Sequence, residues 1–274
     1  MLSNEEGNQL IKKYLSENKI FTVGRVGSSE IIASNSFDSG QEISQGIISM
    51  LQNNAGVYGN SIEDFCKEYL EGIKCSDIQV YWAIEGIKAS QNNLFGKYCS
   101  ESTIVDSRTV EPFYFEDSWA SALQNKKVLV VSPFAESIKT QYEKRLLIWP
   151  NKLLPEFTLI PYKAVQSIGG IGPHSSWFES LNIMKEEIGK LDFDVALLGC
   201  GGYGMPLISH IKNVLNKSAI YVGGGLQILF GVKGRRWDAH PEISSFYNQH
   251  WVRPNDNEKP KGMSLMNNEP STYW

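Results

Sequence analysis

The chain of 274 residues is long enough to bury a substantial core, as one large domain or as one domain with insertions. Its net charge of −4 gives no sign of nucleic-acid binding, and no uninterrupted apolar stretch approaches the ~18 residues needed to span a bilayer. Because the four cysteines lack metal-ligand spacing, a zinc site is not expected, and we predict a cytoplasmic protein with reduced thiols and no membrane span.

The first predicted elements lead into a charged turn. Residues 4–17 have the pattern of an amphipathic helix, and residues 21–23 form a short strand. The strand breaks into Gly-Arg-Val-Gly-Ser-Ser-Glu at residues 24–30, which is typical of a turn that holds a ligand. Arg25 and Glu30 bring opposite charges to it. Glu30 is open to three interpretations: a metal ligand, a base, or a first-turn glutamate stabilised by the helix dipole or by Arg25.

The middle of the chain alternates predicted helices, strands and polar loops. Glu111 lies in a loop of mixed composition over residues 108–114 that could contribute to a site or only form a turn. Ser132 ends a strong strand prediction, where it could cap the next helix and leave backbone amides near a phosphate. The predicted helices are 41–51, 62–70, 135–147 and one after His174; the strands are 80–84, 126–131 and 158–160. The loop at 53–60 could cover a site or be only a connector, and residues 165–172 form a glycine-containing loop with Gln166.

The most informative stretch is residues 194–237. An apolar run, Val195–Leu198, ends in four closely spaced glycines, a helical pattern follows, and a second apolar run at 219–222 ends in three glycines, which together indicate a βαβ unit. Ligands of open α/β sheets bind at the carboxyl ends of the strands. Lys233, Arg235, Arg236 and Trp237 follow, a cluster that favours a phosphorylated ligand such as a nucleotide or nucleotide-sugar. The alternative is a set of tight turns beside a solvated basic loop.

The chain loses its periodicity after Trp237 and ends in two aromatic residues. Disordered tails seldom carry aromatic residues, so we predict one domain over residues 1–274, in which residues 238–274 are a C-terminal extension that packs back on the body.

Several of these segments together resemble the GT-D-fold-like proteins of bacterial surface-polysaccharide gene clusters. The resemblance is carried by residues 23–30, 128–145, 199–206, 223–237 and 250–254, and by the terminal Tyr-Trp. It implies an α/β fold with a Rossmann-like, mostly parallel sheet flanked by helices. It also implies transfer of a hexose from a nucleotide-sugar, with a divalent metal, on the cytoplasmic side of surface-glycan assembly.

One position departs from the pattern of the characterised GT-D enzymes, whose turn reads Arg-x-Gly-Asp-x-Glu. Arg25, Gly27 and Glu30 match it, but Ser28 stands at the aspartate position. A serine hydroxyl is a neutral and weaker metal ligand than a carboxylate. Two options stay open: Glu30 and donor phosphates hold Mg²⁺ or Mn²⁺, or cations such as Arg25 and Lys233 take over the role of the metal.

The sequence therefore predicts a glycosyltransferase that moves a sugar from a nucleotide-sugar, with UDP-sugars expected first, to a cell-surface glycan or glycoprotein. Glu30 and Glu111 are the catalytic candidates, Glu30 also being the metal candidate. The donor and phosphate candidates are Arg25, Gly27, Ser28, Gly201, Gly202, Gly224, Gly225, Lys233, Arg235 and Arg236.

Three alternatives remain open: another transferase of phosphorylated groups, a non-catalytic nucleotide-sugar-binding or scaffold protein of a polysaccharide assembly system, and a dinucleotide oxidoreductase. The last is disfavoured because no acidic residue ends the strand at 219–222. The sequence is also compatible with a homodimer.

Overall fold

A seven-stranded parallel sheet forms the centre of the structure, a computed structural model that describes residues 1–261 and 273–274. Within those residues the strand order is β3-β2-β1-β7-β6-β4-β5. The strands are β1 (Thr22–Arg25), β2 (Ile78–Tyr81), β3 (Thr103–Asp106), β4 (Lys127–Ser132), β5 (Thr158–Lys163), β6 (Val195–Leu198) and β7 (Ser218–Tyr221). This architecture confirms the predicted Rossmann-like α/β class.

Both faces of the sheet are buried, which explains why its inner strands are continuous apolar runs. In β4, Val128 and Val130 belong to the core cluster on one face, whereas Leu129 and Val131 belong to the cluster on the other. All four side chains are 0% exposed. Burying an aliphatic side chain of this size contributes about 1.5–3 kcal/mol, so the central strands are fixed in register from both sides.

Helices cover both faces of the sheet. They are α1 (Asn4–Ser16), α2 (Ser28–Asp38), α3 (Gln45–Met50), α4 (Ile62–Cys75), α5 (Glu85–Tyr98), α6 (Ala135–Tyr142), α7 (Arg145–Ile148), α8 (Trp177–Gly189), α9 (Gly204–Asn213), α10 (Gly225–Leu229), α11 (Arg235–Asp238) and α12 (Pro241–Ser244). A single π-helical turn, Leu51–Ala55, directly follows α3. None of the helices described is both long and apolar enough to cross a membrane.

Several predicted boundaries are wrong. The helix predicted at 135–147 is split into α6 and α7, because the chain turns at residues 143–144 and thereby brings Ile148 and Trp149 into the core. The strand predicted at 80–84 ends at Tyr81, after which Trp82 turns into the cavity described below. The strand predicted at 158–160 is longer, and the helix predicted from residue 41 begins at Gln45.

The strand order changes direction between β1 and β7 at the middle of the sheet. From β1 the chain builds outward through β2 and β3, and it then crosses to the other side to form β4, β5, β6 and finally β7. Since all the strands are parallel, their carboxyl ends lie at one edge. Ligands of such sheets bind at this edge, at the switch point.

The described part of the predicted C-terminal extension contacts the body through Glu258. Its carboxylate is 2% exposed and accepts hydrogen bonds from the backbone amides of Glu136 and Ser137, at 3.0 Å each, and from the Ser137 hydroxyl. The indole of Trp274 donates to the carbonyl oxygen of Glu258 at 3.2 Å. Residues 262–272 of the predicted extension lie outside the described residues.

Candidate functional site

A cavity of about 680 Å³ opens at the carboxyl edge of the sheet. Residues at the ends of six strands line it: the β1–α2 turn, Trp82 after β2, residues 132–134 at the end of β4, residues 165–168 after β5, residues 199–201 after β6 and residues 223–224 after β7. Its volume lies within the ~300–1,000 Å³ range of small-molecule sites. The predicted β1 turn and both predicted glycine turns therefore meet in one cavity.

The turn between β1 and α2 places Glu30 over the start of the helix. Gly27 occupies the N-cap position, where it offers no side-chain cap, and its backbone amide donates to the hydroxyl of Tyr69 at 3.0 Å. A side-chain carbon at residue 27 would overlap the Glu30 carboxylate, so glycine lets this carboxylate lie close to the turn. The Ser29 hydroxyl donates to Glu30 Oε2 at 2.8 Å. Burial raises the pKa of Tyr69 well above its ordinary value, which keeps its hydroxyl neutral as an acceptor for Gly27.

Arg25 presents a cation to the cavity. Its guanidinium lies 4.6 Å from the centre of the Trp82 ring, and its Nε is buried with no hydrogen-bond partner among residues 1–261 and 273–274. Within the described part of the chain, no ion pair of 4.0 Å or less involves Arg25 or Glu30, so the two do not neutralise each other. A buried donor without a partner costs about 1–3 kcal/mol, a cost that an anionic ligand would offset.

A second cation, Arg236, lies near the end of the chain. Its Nη1 donates to the hydroxyl of Tyr273 at 2.8 Å, and both side chains line the cavity. The carbonyl oxygen of Tyr273 accepts from Gln227 Nε2 at 3.1 Å. Among the described residues, the charged side chains of the lining are Arg25, Arg236 and Glu30, which leaves a net positive charge.

The structure brings part of the predicted site together and separates the rest. Arg25, Gly27, Ser28, Glu30, Gly201, Gly224 and Arg236 line the cavity, whereas Gly202, Gly225, Glu111, Lys233 and Arg235 do not. Lys233 lies 5.1 Å from the centre of the Tyr247 ring, and Arg235 lines a separate cavity of about 340 Å³. The basic cluster at 233–236 is thus distributed over three environments.

The predicted glycines make room mainly for other parts of the protein. A side-chain carbon at Gly202 would lie 2.8 Å from the carbonyl oxygen of Ala55, and one at Gly224 would lie 2.7 Å from the Tyr273 ring. Gly225 faces Glu111, whose Oε1 would be 3.1 Å from such a carbon. Sequence reasoning found these glycines but assigned the space to a ligand.

Glu111 lies behind the cavity wall. Burial raises the pKa of this carboxyl above its ordinary value, while the charges of Arg25, Arg236 and Arg108 act in the opposite direction. Its negative charge therefore balances the arginines from outside the lining.

The start of α6 offers no phosphate site, although Ser132 ends β4 inside the cavity. The Ser132 hydroxyl accepts from the amide of Phe134 at 3.2 Å, and Glu258 binds the next free amides of this helix. A carboxylate of the protein thus occupies the position where an anionic ligand would bind.

Side chains outside the predicted site complete the lining. Trp82, Asn53, Asn54, Gln166 and Tyr273 all face the cavity. The polar composition of residues 53–60 and 165–172 could have pointed to Asn53, Asn54 and Gln166 as site residues. No sequence pattern indicated, however, that these two segments lie next to each other. Trp82 belongs to the site because of the position of β2 in the sheet, which cannot be read from the sequence.

A divalent cation would find few protein ligands here. The described residues contain no group of three or more His, Cys, Asp or Glu side chains placed to hold one. Glu30 is the acidic side chain of the described lining, the Ser29 hydroxyl donates to it, and Ser28 also lines the cavity. Mg²⁺ is often held by one or two carboxylates together with substrate phosphates, and Glu30 fits that mode.

Comparison of the chain with known protein families, with curated proteins and with solved structures found no match.

Proposed function

We propose that this cavity binds a nucleotide-sugar and that the chain is a glycosyltransferase. The observation that carries the proposal is the guanidinium of Arg25, which has no ion pair within 4.0 Å among the described residues, at the switch point of a parallel sheet and next to the uncapped start of α2. Helix N-termini and arginines both bind phosphate oxygens. Arg25, Arg236 and the first amides of α2 are therefore assigned to the diphosphate.

The reaction makes one bond and breaks one at the anomeric carbon, and it moves one proton. An acceptor hydroxyl oxygen bonds to the anomeric carbon of the sugar, and the bond from that carbon to the diphosphate oxygen breaks, with the electron pair leaving on the diphosphate. Arg25 and Arg236 stabilise the negative charge that grows there, since fixed cations in a partly enclosed site are effective at developing charge. The hydroxyl proton leaves the acceptor, and Glu30 is the carboxylate of the described lining that can accept it.

Glu30 has a second candidate role as a metal ligand. With phosphate oxygens and the Ser28 hydroxyl, it would hold Mg²⁺ or Mn²⁺, and such an ion would supply neutralisation of the diphosphate charge. Because one carboxylate does not serve as metal ligand and proton acceptor at once, removal of the metal by EDTA separates the two roles.

The alternative is a nucleotide-sugar-binding protein without turnover. This alternative is favoured because the described lining has a single acidic side chain, whereas a transferase that uses both a metal and a carboxylate base needs two acidic side chains. A thermal-shift screen against UDP-, GDP-, CDP- and dTDP-sugars, each with EDTA, Mg²⁺ or Mn²⁺, tests the shared step. A ligand at ~100 times its dissociation constant stabilises the fold by about 2.7 kcal/mol.

Stabilisation by one class of nucleotide-sugar supports the proposal, and release of the nucleoside diphosphate over time with an added glycan acceptor distinguishes a transferase from a binding protein. If no compound stabilises the protein, the proposed function is wrong.

A further inference from the structure

The charged side chains and a set of amide side chains of the cavity lining come from different segments of the chain, which we call the charged half and the amide half of the cavity. The charged side chains of the described lining, Arg25, Glu30 and Arg236, come from the turn after β1 and from the segment after β7. These side-chain amides come from two other segments: Asn53 and Asn54 lie in the π-helical turn, and Gln166 lies in the loop that follows β5. In the sheet, β1 and β7 lie at the centre, while β6, β4 and β5 extend to the edge.

The two segments that carry the amides are fixed to each other. The Ser167 hydroxyl donates to the carbonyl oxygen of Gly56 at 2.7 Å, and the backbone amide of Gly169 donates to the carbonyl oxygen of Gln52 at 3.2 Å. The hydroxyl of Tyr203, which follows β6, lies 2.9 Å from Ser167 Oγ. These bonds fix the backbone of the two segments that carry Asn54 and Gln166, so the framework of a binding surface exists before a ligand arrives.

The amide side chains keep their hydrogen-bonding capacity for a ligand. Nε2 of Gln166 is buried and has no partner among the described residues. Asn53 and Asn54 are exposed, and Asn53 donates to the Ser49 hydroxyl at 3.3 Å. Each amide offers both donors and an acceptor, the combination that matches the hydroxyl groups of a sugar.

Neighbouring strands are ~4.8 Å apart, so β1 and β5, the strand before Gln166, are separated by roughly 19 Å along the edge of the sheet. That separation leaves room for a diphosphate at Arg25 and for a further group beside it. We infer that Asn54 and Gln166 form a subsite for an uncharged sugar ring, the group joined to the diphosphate, and this inference rests on the function proposed above. The absence of cationic side chains from the described part of this half disfavours a uronic acid.

The test compares bare nucleotides with their sugar conjugates. Isothermal titration calorimetry measures the dissociation constants of UDP, UDP-glucose, UDP-galactose and UDP-glucuronate, with GDP and GDP-mannose in parallel. We expect at least one neutral conjugate to bind about tenfold more tightly than its bare diphosphate, the effect of one or two net hydrogen bonds. UDP-glucuronate is expected to lack this gain.

The variants Asn54→Ala and Gln166→Leu should each reduce that gain by about three- to tenfold while the affinity for the bare diphosphate stays unchanged. Asn93→Ala, an exposed asparagine of α5 outside the cavity lining, is the matched control and should change neither value.

Equal binding of bare and conjugated nucleotides, or equal weakening of both by the variants, would overturn the subsite while leaving the diphosphate site intact. If no diphosphate binds at all, the proposed function and this inference fail together.

Discussion

The guanidinium of Arg25 packs against Gly223, where a side-chain carbon would lie 2.6 Å from Nη1. Gly223 also has a φ of +69°, a left-handed conformation that other residues adopt only with strain. The first glycine after β7 thus serves the turn and the candidate phosphate-binding arginine together.

Replacing this glycine should affect both stability and binding. We expect Gly223→Ala to lower the free energy of unfolding by about 1 kcal/mol or more and to weaken nucleotide binding, because the methyl group displaces Arg25. Gly96→Ala is the matched control: this glycine lies in α5 with nothing within 4 Å, so alanine should stabilise by roughly 0.5–1 kcal/mol. Urea unfolding and calorimetry measure the two effects. Full nucleotide affinity in Gly223→Ala would refute the link to Arg25.

The charge of Glu30 gives a prediction whose sign depends on the metal. In EDTA, Glu30→Gln should bind UDP a few-fold more tightly, since it removes a negative charge from the phosphate site. In Mg²⁺ or Mn²⁺, the variant should lose any gain in affinity that the wild type obtains from the metal. Ser28→Asp should show the opposite behaviour, with weaker binding in EDTA and a larger metal-dependent gain. If the affinity of Glu30→Gln is unchanged under both conditions, Glu30 does not face the phosphates.

Glu258 connects the C-terminal segment to the body, and its loss should destabilise the fold. The buried carboxylate binds two amides at the start of α6, the Ser137 hydroxyl and the amide of Asn255. Glu258→Gln removes the charge and leaves at least one donor without an acceptor, which should cost about 1–3 kcal/mol in urea unfolding. Glu143→Gln, at an exposed position just after α6, should be neutral within ~0.5 kcal/mol. Equal stability of the two variants would contradict the capping role.

Glu111 should make stability depend on pH. Burial raises the pKa of this carboxyl above its ordinary value of 4.5, so the folded protein binds the proton more tightly than the unfolded chain does. Its contribution to stability is therefore fully present below pH 4.5 and falls as the pH rises through the raised pKa.

The variant Glu111→Gln should lack this loss. As the pH rises from 4.5 toward neutrality, the variant should become more stable relative to the wild type, so that the difference in their free energies of unfolding shifts in favour of the variant. Urea unfolding at several pH values in that interval checks the trend, and parallel pH profiles of the two proteins would show that the pKa of Glu111 does not differ between folded and unfolded states.

Local sequence patterns predicted the centre of the fold well. The run Val195–Leu198 is β6 with the predicted bounds, because it is apolar on both sides and ends at a glycine. The turn predicted at residues 24–30 is shorter in the structure, because Arg25 ends β1 and α2 begins at Ser28, which places Glu30 in the first helical turn. By contrast, no prediction was made for α5 or β3, whose mixed polarity gives no clear period.

Long-range contacts account for the parts of the site that were missed. Glu258 reaches the start of α6 across more than 100 residues, and Ser167 joins Gly56 across a similar interval. Neither pair has a local signal, since each forms only when the sheet has brought distant loops to one edge. For the same reason Lys233 and Arg235, neighbours of Arg236 in sequence, could not be separated from it before the structure placed them.

The most direct test of the central claim is the affinity for UDP of Arg25→Met compared with that of Arg235→Met, measured by calorimetry. Methionine keeps an apolar chain against Trp82 but removes the charge. Because a hydrogen bond to a charged group is worth about 1.5–3 kcal/mol, Arg25→Met should bind roughly 10- to 100-fold more weakly, while Arg235→Met, outside the cavity lining, should match the wild type. Unchanged affinity in Arg25→Met, or an equal loss in both variants, would contradict a phosphate site at the carboxyl end of β1.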